Sequence, residues 1–386
     1  MMLTKKAKIS LGPIVATIGA ILIALGVAWL VALNWHDLPD FFKVLIMVLA
    51  TIIAYASGVF LRIKEYPKIG ESLLLLGALL YTWTIILIAQ IFNLATSVQH
   101  YSNLVLLAWV GVFIAAYVFS SSASLVLALG EFLVWIGLQY ISFLEMFRGD
   151  FSFAYPVLIY LFVGVLFYGL TQFHKSRNHE FQNVYRFWTA FYILLVAYIL
   201  SFQTLLPLLW FEGASLSGGS IAFIFILSAI SLIFFALGVF LALDKKKLSG
   251  KEVFGFISLL VLYIIVIGLA SLVSSSGGVF RGNLSLGLWF LWLFDNVLFI
   301  LVIISVIGYG TRYQSSNIVN LAIFFFTLDI ITRYIGFWMD LGGQIGFAFM
   351  SIIGGIILIF GGWGIEKWRE KLVEKTKRAQ SGYDFY

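Results

Sequence analysis

Residues 220–243 read SIAFIFILSAISLIFFALGVFLAL, and Asp244, Lys245, Lys246 and Lys247 follow directly. An uncharged run of this length meets the roughly 20 residues that a helix needs to cross the hydrocarbon core. Its backbone would find no water in lipid, so its N–H and C=O groups must bond to one another as a helix. The lysines that close it are an orientation signal, because basic residues collect on the cytoplasmic side. Together they predict a spanning helix whose end near 243 faces the cytoplasm.

The same reading extends in both directions. Comparable apolar runs lie at 11–33, 44–61, 72–92, 103–119, 122–142, 155–173, 187–210, 253–273, 287–309, 317–339 and 345–364. With the amino terminus inside, the inner segments carry Lys5, Lys6 and Lys8; Arg62, Lys64 and Lys68; Lys175, Arg177 and Arg186; Lys245 to Lys247 and Lys251; Arg312; and a last group from Lys367 to Arg378. The outer segments hold only Lys43, Arg148 and Arg281. One miscounted helix would reverse this alternation downstream of it. The expected fold is therefore all-α: a polytopic transmembrane helix bundle of about twelve spans, multi-pass in the cell (inner) membrane, with both termini cytoplasmic. The bundle occupies residues 1–364. Residues 365–386 form a cytoplasmic tail in which Ile365, Trp368 and Leu372 share one side of a charged helix, suited to the surface of anionic lipid. The shortest gap, Ser120–Ser122, makes the hairpin between the fourth and fifth spans the tightest. Lys5, Lys6 and Lys8 resemble the start of a signal peptide. The run after them is too long and lacks a small-x-small cleavage site, so it reads as a retained first helix.

Composition supports the same reading. The chain is 62% hydrophobic and 11% charged over 386 residues, against about 45–50% and 25% in soluble domains. It has no cysteine, which excludes disulfides, thiolate metal sites and a cysteine nucleophile. The net charge of +6 sits in short clusters between apolar spans, a pattern for lipid contact and orientation rather than nucleic-acid binding. Membrane lipids are the expected partners, and no cofactor or metal is expected.

The first span carries small residues at four-residue spacing, Gly12, Ala16, Ala20, Ala24 and Ala28, and the last carries Ser351 and Gly355. Such ridges let helix backbones approach closely in lipid, within one chain or in a homo-oligomer.

Some local sequences are familiar. Asn34-Trp35-His36-Asp37-Leu38-Pro39 follows the first span, Ile69-Gly70-Glu71-Ser72 opens the third, and Gln90-Ile91-Phe92-Asn93-Leu94 closes it. Asn320, Arg333-Tyr334, Asp340, Gly354-Gly355, Glu366 and Arg369 stand near the end. In order and placement these resemble the predicted membrane-protein family catalogued as domain of unknown function 2157, best over residues 11–95 and 315–370. The resemblance implies a polytopic membrane protein and carries no activity or ligand.

The informative positions are charges at bilayer depth: Glu131 in the fifth span, Asp295 in the tenth, Asp329 and Arg333 in the eleventh. All four facing lipid would cost roughly 10 kcal/mol, so they must face other helices or a wet cavity. Asp329 and Arg333 are four residues apart and share a helix face. They make either an internal ion pair or a site where the Arg333 fork holds an anion. By depth, Asp295 should lie within about one turn of Arg333 on the neighbouring helix, so the three are expected to form a net-acidic cluster. One arginine cannot neutralise two carboxylates, which leaves one acid to hold a proton or a cation. Glu131 either handles protons or donates a hydrogen bond.

Three functions compete: a transporter- or channel-like protein with this polar cluster in its path, a scaffold that recruits another protein and whose charges only hold the bundle, and a lipid-acting enzyme. The enzyme would draw on His36, Asp37, Asp40, His100, Glu145, Asp150 and Asp340 in the outer loops, but their spacing fits no ligand signature. No catalytic residue is assigned.

Overall fold

The computed structural model describes residues 39–147, 154–202, 218–275 and 286–340, together with isolated positions between 15 and 29, residues 205, 206 and 209, and residue 367. Its helices are α1 (Asp40–Ile63), α2 (Pro67–Ile91), α3 (Val98–Val118), α4 (Ser122–Phe147), α5 (Ala154–Ser176), α6 (Phe181–Leu200), α7 (Gly218–Asp244), α8 (Gly250–Ser275), α9 (Leu286–Arg312) and α10 (Ser316–Asp340). Each is long and apolar enough to cross a membrane. They correspond in order to the second to eleventh expected spans. The ridge at Gly12, Ala16, Ala20, Ala24 and Ala28, the last span with Ser351 and Gly355, and the tail (Lys367 apart) lie outside the described residues.

One difference from expectation bears on function. The span expected at 187–210 is a helix from Phe181 to Leu200. It begins earlier because polar Gln182, Asn183 and Arg186 join its first turns, where water and protein groups can satisfy them. It ends earlier because the helical bonding stops after Ser201: Ser201 N still bonds to Ala197 O, but Leu205 N bonds to Phe202 O in a turn.

The turns after α1, α3, α5, α7 and α9 end alike. Glu65, Ser120, Asn178, Lys246 and Gln314 each adopt a left-handed φ between 48° and 68°. In each turn the next residue's N–H reaches back to a carbonyl five positions earlier, from Tyr66 to Leu61 (2.9 Å) through Ser315 to Gly310 (2.8 Å). This cap satisfies carbonyls that the helix end would leave open. The tight Ser120 turn is held from outside as well. Arg62 donates to the carbonyls of Phe119 and Ser120, and Glu71 accepts from Ala123 N and Ser121 Oγ, both at 2.9 Å. A cation thus sits on a helix C-terminus and an anion on the next N-terminus, each where the helix dipole favours it.

The chain divides into two compact units: Met1–Gly149 with Ser217–Ser220, and Asp150–Leu216 with Ile221–Tyr386. In the first, α1 and α2 pack backbone to backbone. A Cβ on Gly70 would lie 2.7 Å from Gly58 O, so close packing here requires glycine. In the second, a core of Leu194, Ala197, Tyr263, Val266, Leu298, Phe299, Val302 and Ala322 joins α6, α8, α9 and α10.

Candidate functional site

The interrupted end of α6 organises the polar groups of the second unit. With the helix stopped at Leu200, the Ser201 carbonyl has no backbone donor four residues on, and a bare carbonyl in an apolar core is costly. Three side chains from other helices supply donors. Trp292 Nε1 bonds to Ser201 O at 2.9 Å and Asn296 Nδ2 at 3.3 Å, both from α9, and Arg333 Nη2 comes from α10. Arg333 also donates from Nε to Asp329 Oδ1 at 3.2 Å and from Nη2 to Asn296 Oδ1 at 2.9 Å. Its guanidinium lies 5.0 Å from the centre of the Phe202 ring. Tyr198 Oη donates to Thr332 Oγ1 at 3.2 Å beside it. The negative end of the α6 dipole and one carboxylate thus share a single arginine.

The expected Asp329–Arg333 pair is present. The expected Asp295–Arg333 contact is not made. Asp295 is fully buried, at 0% exposure, and neither carboxyl oxygen has a hydrogen-bond partner among the described residues. The charge of Arg333 and the Tyr263 hydroxyl are within electrostatic reach but not bonded to it, and the Tyr263 hydroxyl is itself buried without a partner. Depth matched as expected, but rotation did not: one residue turns the helix by about 100°, so Asn296, not Asp295, faces Arg333.

Glu131 belongs to the first unit and has a site of its own. It is 8% exposed. Thr82 Oγ1 donates to its Oε1 at 2.5 Å, and Oε2 is buried without a partner. The hydroxyls of Tyr55 and Tyr81 lie within its electrostatic reach. Room for the two rings comes from glycine. A Cβ on Gly77 would meet the Tyr55 ring at 2.9 Å, and one on Gly111 would meet Tyr81 at 2.4 Å.

The residues expected in outer loops do not assemble where they are described. Asp40 pairs with Lys43 at 3.0 Å, and His100 Nδ1 bonds to Thr96 Oγ1 at 3.0 Å. His36, Asp37 and Asp150 lie outside the described residues, as do the side chains of Glu145 and Asp340. Among the described residues no three His, Asp or Glu side chains group as metal ligands.

Reasoning from sequence missed Tyr198, Ser201, Trp292, Tyr263 and Thr82. One signal was available: Ser201 and Gln203 interrupt an apolar run that also contains Pro207, a residue that cannot donate to a continuing helix.

No curated protein and no solved structure matches the chain. The resemblance read over residues 11–95 has a counterpart in the family comparison, whereas the stretch 315–370 lies beyond the match. Residues 2–125 match the family described as predicted membrane protein (DUF2157).

Proposed function

We propose that this membrane protein is transporter- or channel-like, with twelve spans and both ends in the cytoplasm of a cell (inner) membrane, and that Asp295 beside the α6 break is its exchangeable site. The observation that carries this reading is the distribution of bonds around Arg333. Two carboxyls, Asp295 and Asp329, lie near one arginine, and among the described residues the arginine bonds to Asp329, to Asn296 and to the helix end and not to Asp295. Among the described residues Asp295 is left buried without a donor, so a proton or a small cation is needed to neutralise it. Helices that break off beside intramembrane charges are a common feature of the ion sites of transporters.

The scaffold reading draws on the same network: Arg333 locks α6, α9 and α10 together, and a locked junction suits a protein whose task is to hold others.

The test is reconstitution of the full chain in liposomes containing a pH-sensitive dye. A panel of amino acids, sugars, organic acids and monovalent cations is added under an imposed membrane potential. Proton movement above that of protein-free liposomes, with at least one solute or with the potential alone, is expected. Traces matching protein-free liposomes throughout would remove the transport reading and leave the scaffold.

A further inference from the structure

Among the described residues, the basic end of the second unit gathers four cations around one acid. Lys175 at the end of α5 is in electrostatic contact with Arg186, Lys247 and Arg312, and Glu252 is the one acid among these neighbours. Lys175 Nζ donates to Tyr313 Oη at 2.8 Å. The Arg186 guanidinium lies 4.3 Å from the centre of the same ring. Tyr313 donates to Glu252 Oε2 at 2.5 Å, and Arg312 approaches that oxygen at 3.8 Å. Burial, reinforced by Glu252, pushes the Tyr313 hydroxyl up from its ordinary value, so it stays a neutral donor. Lys247 also donates to the Lys175 and Ser176 carbonyls that end α5. Arg186 is 6% exposed, and its Nε has no partner among the described residues. Four cations around one acid repel one another unless an anion joins them.

A cavity of about 220 Å³ adjoins this cluster, between α5, α6, α8 and α9. Its polar lining, Glu252, Tyr309 and Thr189, lies toward the basic helix ends, and its deeper lining, Leu259, Val302 and Ile193, is apolar. Gly255 and Ser305, both exposed, flank it on the outside of the unit. A groove that is cationic at the membrane edge and apolar further in is amphipathic along the membrane normal.

We propose that this groove holds one anionic membrane lipid, with its phosphate on the Lys175, Arg186 and Arg312 cluster and an acyl chain in the cavity. Charge complementarity selects the headgroup, since basic pockets between spanning helices at the inner edge suit anionic lipids. The apolar wall selects a lipid over a free phosphate. The site does not depend on transport through Asp295.

The experiment measures binding of phosphatidylglycerol, phosphatidylcholine and inorganic phosphate to the delipidated full chain in detergent, by native mass spectrometry and by the shift in Tm. One phosphatidylglycerol should bind in preference to phosphatidylcholine and raise Tm, with inorganic phosphate giving no comparable rise. Arg312→Gln should weaken binding about fivefold, the factor for one arginine near an anionic headgroup. Arg312 is 58% exposed, so the fold tolerates the change. Gly255→Leu should weaken binding at unchanged lipid-free Tm, because a Cβ there meets no atom within 4 Å and the larger side chain fills the cavity. Lys64→Gln, in the first unit, should change nothing. Equal binding of phosphatidylcholine, full binding by both groove variants, or a phosphate effect equal to that of the lipid would overturn the proposal.

Discussion

Glu131 in the first unit and Asp295 in the second are both carboxyls enclosed within their units, yet their surroundings differ. Glu131 is held by one short bond from Thr82 and boxed in by two tyrosines that glycines admit. No cation lies among its electrostatic neighbours. Asp295 has an arginine within electrostatic reach and no hydrogen bond among the described residues, because Arg333 is committed to Asp329, Asn296 and the α6 end. The comparison separates two roles for intramembrane charge. A carboxyl that a neighbouring hydroxyl holds, as Thr82 holds Glu131, is tied into the unit that it joins, and a buried carboxyl with no bond among the described residues is there for something that the static fold does not use.

If that separation is right, Arg333→Ala should be the most damaging of the simple substitutions. It leaves Asp329 unpaired and removes a donor from the Ser201 carbonyl, at a cost of about 3 kcal/mol. Thermal unfolding in detergent checks this, and Arg333→Lys should recover only part of the loss because lysine lacks the planar fork. A stable Arg333→Ala protein would place the side chain at the membrane edge, bonded mainly to water.

Gly111→Ala probes the first unit at its tightest contact. The new methyl meets the Tyr81 hydroxyl end, and displacing a ring in a packed core costs about 1–3 kcal/mol. An unchanged Tm would show that Tyr81 moves aside freely and that the enclosure of Glu131 is loose. Thr82→Ala is a smaller test. It removes the one bond to Glu131, and about 1–2 kcal/mol should be lost. Asp295→Asn should have the smallest effect, within about 1 kcal/mol of the parent, since no hydrogen bond is broken and a buried acid becomes a neutral isostere. A loss as large as that of Arg333→Ala would mean that Asp295 is structural after all.

The membrane-spanning helices were legible because a 20-residue apolar run has few alternative solutions. Even the three-residue Ser120 turn followed from the alternation of basic loops. The ends were harder to read. The boundary at Leu200 depends on Trp292, Asn296 and Arg333, which lie more than 90 positions away in sequence and reach Ser201 only through tertiary packing. Local spacing revealed the Asp329–Arg333 pair because both residues lie on one helix. It could not show which way Asp295 points, since that depends on how α9 is rotated against its neighbours. The role of Gly77 and Gly111 in admitting tyrosine rings beside Glu131 is visible only in three dimensions.

The most direct measurement is proton flux in the proteoliposome assay with two variants that should both fold normally, Asp295→Asn and Glu131→Gln. The account predicts that Asp295→Asn reduces flux to that of protein-free liposomes while Glu131→Gln keeps at least about half of it, at unchanged Tm for both. Undiminished flux through Asp295→Asn, or silence of Glu131→Gln alone, would contradict the assignment of the exchangeable site to the second unit.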